Sequence, residues 1–560
     1  MKMTTIRIKN IYSHEDSSFW LENYNTFIGE NNSGKSNIFF AVRWFFGEIK
    51  LTSSNTFNGA GGESSVCITF HVDDEEIDLL GINKDAVESG FVSIEAYYEF
   101  DPDEAKSVSP TYRYISSDDS VINCRPKPEF ISPKNVVYIP AIKKLDDELK
   151  FTNKSAINKL VSKYFIDHIR NDENCSCKYR EISTKVNELS ELLKKEDSGP
   201  CESLKSYVNK YMLDYGDLNF SVTLVPPMLD EFIKNSFNIS VLSNGSNLSL
   251  DSQGMGFQRS LLFSLLCIIA DINGNSYPTI YLIEEPELYL HPNHQIHFRD
   301  ILIKLSQKEN NQILATSHSP YFVNHINKYS QIKVVSMNEK RSQINQISQD
   351  DVNAIVEEDA NTRLCCELDY IYGRYSDEEI EHIKDIKKND DHLRYLLWMD
   401  PLRANAFFSK KCILVEGSTE KAFFSFIFYH PEGALYSTDT SNVAIFDTVG
   451  KFNIIPFANL LKKLGIDVWV IFDDDEGKEA NGISHNKINE YIEKLVSDNI
   501  AIKCLKLNSD IEKFLGVEKN SRKPDISLYQ KLVDNKNECL HTEGYSKIVE
   551  FVESVLEYRY

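Results

Sequence analysis

Two sets of residues in this chain are spaced for phosphate chemistry. The first is Gly29-Glu30-Asn31-Asn32-Ser33-Gly34-Lys35-Ser36, a G-x-x-x-x-G-K-S string. Glycines let the backbone wrap close to phosphate oxygens, and N–H groups at a helix start point at the anion. Lys35 then reaches β- and γ-phosphates, and the Ser36 hydroxyl sits on Mg²⁺. Gly29, Asn31, Asn32, Ser33, Gly34, Lys35, Ser36 and Asn37 form the candidate nucleotide cradle. The second set is acidic. In KKCILVEGSTEK an apolar run ends at Glu416, with Glu420 in the first turn of a following helix, and DVWVIFDDDEGK ends at Asp473, Asp474 and Asp475. One acidic tip could be a loop cap. Two tips in one α/β domain make a divalent-metal site, in which Glu416, Glu420, Asp473 and Asp475 supply oxygens for two Mg²⁺ or Mn²⁺.

Three further segments complete the nucleotide chemistry. In TIYLIEEPELYLHP a β-type run delivers Glu284 and Glu285, the first for a magnesium shell and the second to orient an attacking water. QILATSHSPYFV places His318 after another apolar run, where it can sense the γ-phosphate. Ser252, Gln253, Gly254 and Gly256 form a polar turn before a long apolar helix, a second phosphate-facing helix start.

The elements that must position these residues follow from pattern. Thr5–Lys9 alternates like a strand, Tyr24–Ile28 is a strand leading into Gly29, and NIFFAVRWFF is a helix stopped by Gly47. CITFHV, SIEAYYEF and VVYIPAI are strands, as are the apolar runs before Glu416 and Asp473. The fold class is α/β. Residues 1–150 hold the first part of a P-loop ATPase, 151–215 a helical insert and 216–345 the second part; 346–405 is a helical connector and 406–560 a second α/β domain. The insert is either an arm for dimerisation or a helical lobe packed on the ATPase.

Composition narrows the function. The chain has 560 residues, 42% hydrophobic and 26% charged, an ordinary globular balance. No apolar run reaches the ~18 residues of a membrane span, and the start lacks a signal-peptide core, so a cytoplasmic protein without membrane contact is expected. That argues against a transporter, though not against the ATPase subunit of one. The 11 cysteines are scattered, with Cys175/Cys177 and Cys365/Cys366 the close pairs, and none has zinc spacing. The net charge of −23 opposes nucleic-acid binding as a global sum, but binding depends on local patches. One basic stretch exists: Arg125, Lys127, Lys134, Lys143, Lys144 and Lys150.

Taken in order, GENNSGKS, SQGMGFQRS, IEEPELYLHP and TSHSP resemble the ABC-type ATPases and the chromosome-maintenance and recombination ATPases related to them. VEGSTE with FDDDE resembles the Toprim fold of primases, topoisomerases and certain nucleases. An ABC-type ATPase followed by Toprim (Rossmann-like) resembles the OLD (overcoming lysogenisation defect) nucleases over nearly the whole chain. The resemblance implies that Ser252, Gly254 and Gly256 cap ATP of a partner subunit and that the insert serves dimerisation, in a homodimer or higher homo-oligomer. It implies a metal-dependent DNA endonuclease regulated by ATP, in a family that includes bacteriophage-defence effectors such as the Gabija nuclease and retron-associated nucleases. A defence-system protein or a retron nucleic acid is then a candidate partner. It also implies a later acidic element, met by Asp510 and Glu512, and a basic residue. Lys523 is chosen for the latter over Lys531 and Lys547. The GKFN loop at Gly450–Asn453 matches a glycine loop near the metal in relatives, which would bring Lys451 to DNA; an ordinary turn is the other reading. Two departures stand out. No glutamine precedes Gln253, where a glutamine-bearing loop is usual, and Glu284 stands where many relatives have aspartate. The alternative function is a recombination- or repair-type DNA-binding ATPase whose Toprim domain binds without cutting.

Overall fold

The computed structural model describes residues 1–59, 61–100, 107–122, 131–132, 136–141, 169, 172–193, 240–243, 246–249, 254–258, 260–261, 264, 279–308, 311–323, 328–371, 399–475, 479–480, 483–518, 523–534 and 539–558. Ser252 and the basic stretch from Arg125 to Lys150 lie outside them, as does most of the expected insert. The chain divides into two units: 1–141, 277–287 and 292–560 form the first, and 142–276 with 288–291 the second. In the second unit the described elements include the helix Glu173–Leu193 and the hairpin Ser240–Ser243/Ser246–Ser249. There Phe257 and Gln258 donate N–H to the Gly254 carbonyl, so a helical turn begins at Gly254.

The first unit contains three principal sheets. One is antiparallel and begins with Lys2–Ile11, paired on one side with His14–Trp20 and on the other with Gly62–His71, which pairs in turn with Phe91–Phe100. The alternating pattern around Ile6 and Ile8 puts these side chains inward, against the helix Lys35–Phe45. That helix buries Ile38, Phe39, Ala41, Val42, Trp44 and Phe45, so it reads apolar nearly all round and sits at the centre of the core. Each such side chain contributes about 1.5–3 kcal/mol on burial.

The second sheet carries the nucleotide motifs. Its strand order is Arg341–Gln346, Ile332–Asn338, Tyr24–Ile28, Asn311–Thr316, Thr279–Glu284, Val136–Ile139. The strands from Ile332–Asn338 onward run parallel, and Arg341–Gln346 is an antiparallel edge. Crossovers therefore bring residues distant in sequence to one sheet edge. The helix Gln349–Ile371 follows, within the expected connector; 372–398 of that connector lies outside the described residues.

The third sheet is wholly parallel, in the order Val443–Asp447, Lys411–Val415, Asp467–Asp473, Ala501–Leu507. The strand Lys411–Val415 is buried along its whole length, as a central parallel strand must be. Its first residue, Lys411, turns its ammonium onto the carbonyls of Val555, Leu556 and Tyr558 at the end of the helix Glu543–Glu557. Those are carbonyls a helix end leaves without partners of its own. In open parallel sheets ligands meet the carboxyl ends of the strands, and here those ends carry Glu416, Asp447 and Asp473.

Candidate functional site

The phosphate loop lies between the strand Tyr24–Ile28 and the helix Lys35–Phe45. Gly29 has φ of 143°, and a Cβ there would fall 2.0 Å from the Val335 carbonyl oxygen; Gly34 has φ of 103°, and a Cβ would fall 2.1 Å from Ser342 Oγ. Only glycine fits either place. Lys35 Nζ donates to the carbonyls of Gly29 (3.0 Å) and Glu30 (2.6 Å) and approaches Ser33 Oγ at 3.4 Å. Burial pulls its pKa down to about 8 against the opposing charges of Glu285, Glu287 and Glu30.

A polar bed supports this loop. His14 Nε2 lies 3.1 Å from the Gly34 carbonyl and Nδ1 lies 2.9 Å from Ser17 Oγ. Ser342 Oγ donates to the Ser33 carbonyl at 2.7 Å, and Asn37 Nδ2 donates to Ser13 Oγ at 2.8 Å. His14 is fully buried, and that burial holds its pKa down at about 4, so the ring is neutral. Of these supports only Asn37 adjoins the motif; Ser342 is brought to the loop by a strand crossover.

At the neighbouring strand ends, Glu285 adopts φ of 42° and its N–H donates to the Thr316 carbonyl at 3.0 Å. His318 Nε2 lies 3.8 Å from Glu285 Oε1. Burial and the Lys35 charge lower the His318 pKa to about 4. Glu284 Oε2 accepts the Ala141 N–H at 3.3 Å. A further acid, Glu287, is buried and accepts the His318 N–H at 2.6 Å; it positions the histidine and was not singled out by the sequence pattern. Gly254 and Gly256 belong to the second unit.

The third sheet gathers a different group. One carboxylate oxygen each from Glu416, Asp473 and Asp475 lie within 4.8 Å of one another. Glu416 Oε1 accepts the Asp473 N–H at 2.8 Å. Lys451 is buried among them. Its ammonium donates to the Asp473 carbonyl and lies 3.6 Å from Asp475 Oδ2 and 3.9 Å from Glu416 Oε1. The loop that brings it there is stitched to the Glu416 strand: Thr448 N–H donates to the Val415 carbonyl at 2.9 Å and Gly450 N–H to the Glu416 carbonyl at 2.7 Å. Arg363, on the helix Gln349–Ile371, donates to Asn453 Oδ1 of the same loop at 2.6 Å. His485 Nδ1 lies 3.8 Å from Asp475 Oδ2.

The other expected ligands stand behind this group. Glu420 is buried and its Oε2 accepts the Gly417 N–H at 3.0 Å, as the capping residue of the helix Ser418–Tyr429. Glu512 is buried as well, whereas Asp510 caps the short helix Ile511–Phe514 by accepting the Lys513 N–H. Lys523 is exposed just before the helix Pro524–Asp534, with no described contact to the acidic tips. Lys531 and Lys547 are engaged elsewhere, with the Glu518 carbonyl and Glu543. The lysine that lies among the acidic tips is Lys451: the Gly450 loop follows the strand beside Lys411–Val415, whereas Lys523 follows Ala501–Leu507.

These acids fit a divalent cation. Asp473 Oδ1 and Glu512 Oε1 are buried carboxylate oxygens without a hydrogen-bond partner among the described residues. Burial, then Glu416, Glu420 and Asp475, push the Asp473 carboxyl up to about 9; burial, then Glu416 and Glu512, push Glu420 up to about 7. Carboxylates crowded to this degree are relieved by a cation held between them.

A P-loop ATPase joined to a Toprim domain is the class that this fold and these two sites define. The AAA ATPase domain family matches residues 1–200 and 217–323, more than half of the chain, and the Toprim domain of overcoming-lysogenization-defect-like proteins matches 407–475. The chain belongs to the OLD family of ATPase–Toprim proteins. It is 22% identical over 503 residues to the Old nuclease of Escherichia phage P2, a match covering 85% of this chain and 77% of that one. It is 25% identical over 242 residues to the OLD nuclease of Thermus scotoductus, covering 43% of this chain and 39% of that one. Among solved structures, the SMC head domain from Thermotoga maritima aligns at a TM-score of 0.33 and 14% identity, over 62% of this chain and all of that one. No helix among the described residues is long and apolar enough to cross a membrane.

Proposed function

We propose that this protein is an ATP-binding, divalent-metal-dependent DNA endonuclease whose ATPase domain regulates cutting, and that it serves as an anti-phage defence effector. The observation that carries the nuclease reading is the convergence of Glu416, Asp473 and Asp475 on one point at the carboxyl end of a parallel sheet. The Old nuclease of phage P2, similar over most of both chains, supports it.

Glu416, Asp473 and Asp475 would hold the first cation, with Glu420 and Glu512 nearest to a second. A bound divalent cation supplies Lewis acidity toward a phosphodiester. Glu416, through its bond to the Asp473 N–H, fixes the two tips relative to each other. Lys451 holds positive charge at the same place and steadies the loop, ready for the negative charge that grows on a scissile phosphate. At the other site, Lys35 and Ser36 would bind the triphosphate and its magnesium, with Glu284 beside the metal. Glu285 would orient the attacking water, and the neutral His318, held through Glu287, would face the γ-phosphate. The reading includes a cytoplasmic homodimer or higher oligomer built through the ATPase domain and the insert.

Plasmid cleavage by the purified protein tests this, with Mg²⁺ or Mn²⁺, with and without ATP, beside Asp473→Ala and Lys35→Ala. Cutting that disappears in Asp473→Ala supports the nuclease, and Lys35→Ala then gives the sign of ATP control. Absence of cutting under every condition favours the DNA-binding ATPase instead.

A further inference from the structure

The two acid-bearing strands are anchored, at the ends opposite their acids, on the nucleotide loop. The Asp467 N–H donates to the Lys410 carbonyl at 2.9 Å, which ties together the starts of Lys411–Val415 and Asp467–Asp473. Lys410 Nζ pairs with Glu30 Oε2 at 3.0 Å. Glu30 belongs to the phosphate loop, and its own carbonyl is the 2.6 Å acceptor of the Lys35 ammonium. One residue is thus gripped by the phosphate-binding lysine through its backbone and by the acidic domain through its side chain. A second contact runs beside the first. The strand Arg341–Gln346 carries Ser342, bonded to the Ser33 carbonyl, and further along it Asn345 presses on Gly465. A Cβ at Gly465 would come within 2.1 Å of Asn345 Nδ2.

An ammonium has three protons to give. Lys35 directs them at Gly29, Glu30 and Ser33. A phosphate oxygen that accepts one of those hydrogen bonds loosens the hold on the loop atom that had accepted it. The strand Lys411–Val415 is buried throughout and paired on both sides, so a shift at Lys410 is delivered to Glu416 rather than absorbed on the way. Small shifts matter there, because a misplacement of about 1 Å in a catalytic group can cost about 10²-fold. The pair is a third exposed on both sides, so it adds little to stability and can be remade easily.

We propose that Glu30 and Lys410 are positioning residues that transmit nucleotide occupancy at the phosphate loop to the Glu416 and Asp473 tips, with Asn345 against Gly465 as a second bearing. This rests on the reading that the loop binds ATP and the tips bind a divalent cation.

The test is hydrogen exchange of the full-length protein, followed over 411–416 and 467–475, with and without a non-hydrolysable ATP analogue and Mg²⁺. Binding of a fluorescent ATP analogue and thermal unfolding are measured on the same samples. In the wild type the nucleotide changes exchange at both tips by about fivefold or more, the lower end of ordinary coupling between sites. In Lys410→Met and in Glu30→Gln that change shrinks to within about twofold, while Lys410→Met binds the analogue and melts like the wild type. The charge-exchanged Glu30→Lys/Lys410→Glu protein recovers part of it. Lys410→Met that binds the analogue and keeps the full change overturns the proposal. So does a wild type that binds the analogue with no change at the tips. A wild type that does not bind the analogue overturns the ATP reading itself and the linkage with it.

Discussion

Lys451 lies in the loop after one strand of the acid-tipped sheet and Asp473 at the end of another, yet the lysine ammonium donates to the aspartate's main-chain carbonyl and stays within 4 Å of two carboxylates. Removing that charge leaves buried acids uncompensated. Lys451→Met should lose cleavage by about 10²-fold, the scale of deleting one preorganised positive or donor group. It should also melt earlier without metal, since breaking a buried pair costs about 3–5 kcal/mol. Saturating Mn²⁺ should restore much of that melting temperature but not the rate. Plasmid nicking and thermal melts, each with and without Mn²⁺, check both parts. Lys451→Arg should not rescue, because a planar guanidinium does not fit a compact ammonium's place.

A cation bound only by the folded state stabilises it by mass action. At about 100 times its dissociation constant the gain is about 2.7 kcal/mol. Mn²⁺ added without nucleotide should therefore raise the melting temperature of the wild type, and chelator should reverse it. Asp473→Asn should abolish the response. An unchanged Mn²⁺ response in that variant would remove the metal from the Asp473 site.

The Lys35 ammonium lies at the centre of the nucleotide loop, and each charge-assisted bond it would make to a phosphate is worth about 1.5–3 kcal/mol. Lys35→Ala should weaken binding of a fluorescent ATP analogue by about 10²-fold or more. Its Mn²⁺-dependent melting shift, measured without nucleotide, should remain.

The buried His14 makes stability depend on pH. Burial holds its folded pKa at about 4, below the ordinary histidine value of 6.5. Above 6.5 neither state is protonated and His14 contributes no slope. As pH falls from 6.5 toward 4 the unfolded chain takes up the proton and the native protein does not, so stability declines, by about 3 kcal/mol at most. His318, shifted the same way, adds a slope of the same sign. Urea unfolding at pH 7 and pH 5 should show a smaller loss for His14→Gln, whose amide can keep bonds to both Gly34 and Ser17, than for the wild type.

The residues that could be read from sequence are those whose signal is local. The glycines and lysine of the phosphate loop, the acids that close apolar runs at Glu285, Glu416 and Asp473, and the strands that precede them all announce themselves within a dozen residues or so. The residues that could not be read are brought in by the sheet crossovers. Ser342 supports Ser33 from across the sheet, and Glu287 reads in sequence as one more acid of a loop, although it holds the His318 backbone. Lys451 is the instructive case. A lysine's reach gives no direction in sequence, and Lys451 and Lys523 both lie in polar segments. What separates them is strand order: Val443–Asp447 lies beside Lys411–Val415, so the loop that follows it opens onto the acids.

The grip of Lys411 on the end of the helix Glu543–Glu557 gives the last stretch of chain a second duty. The strand that begins at Lys411 ends at the acidic tip, so its footing is set partly by carbonyls more than a hundred residues downstream. Changes that unwind the helix at Val555–Tyr558, far in sequence from any acid of the centre, would pull on the footing of the acidic centre. A variant altered at those carbonyls would fold and still be catalytically poor.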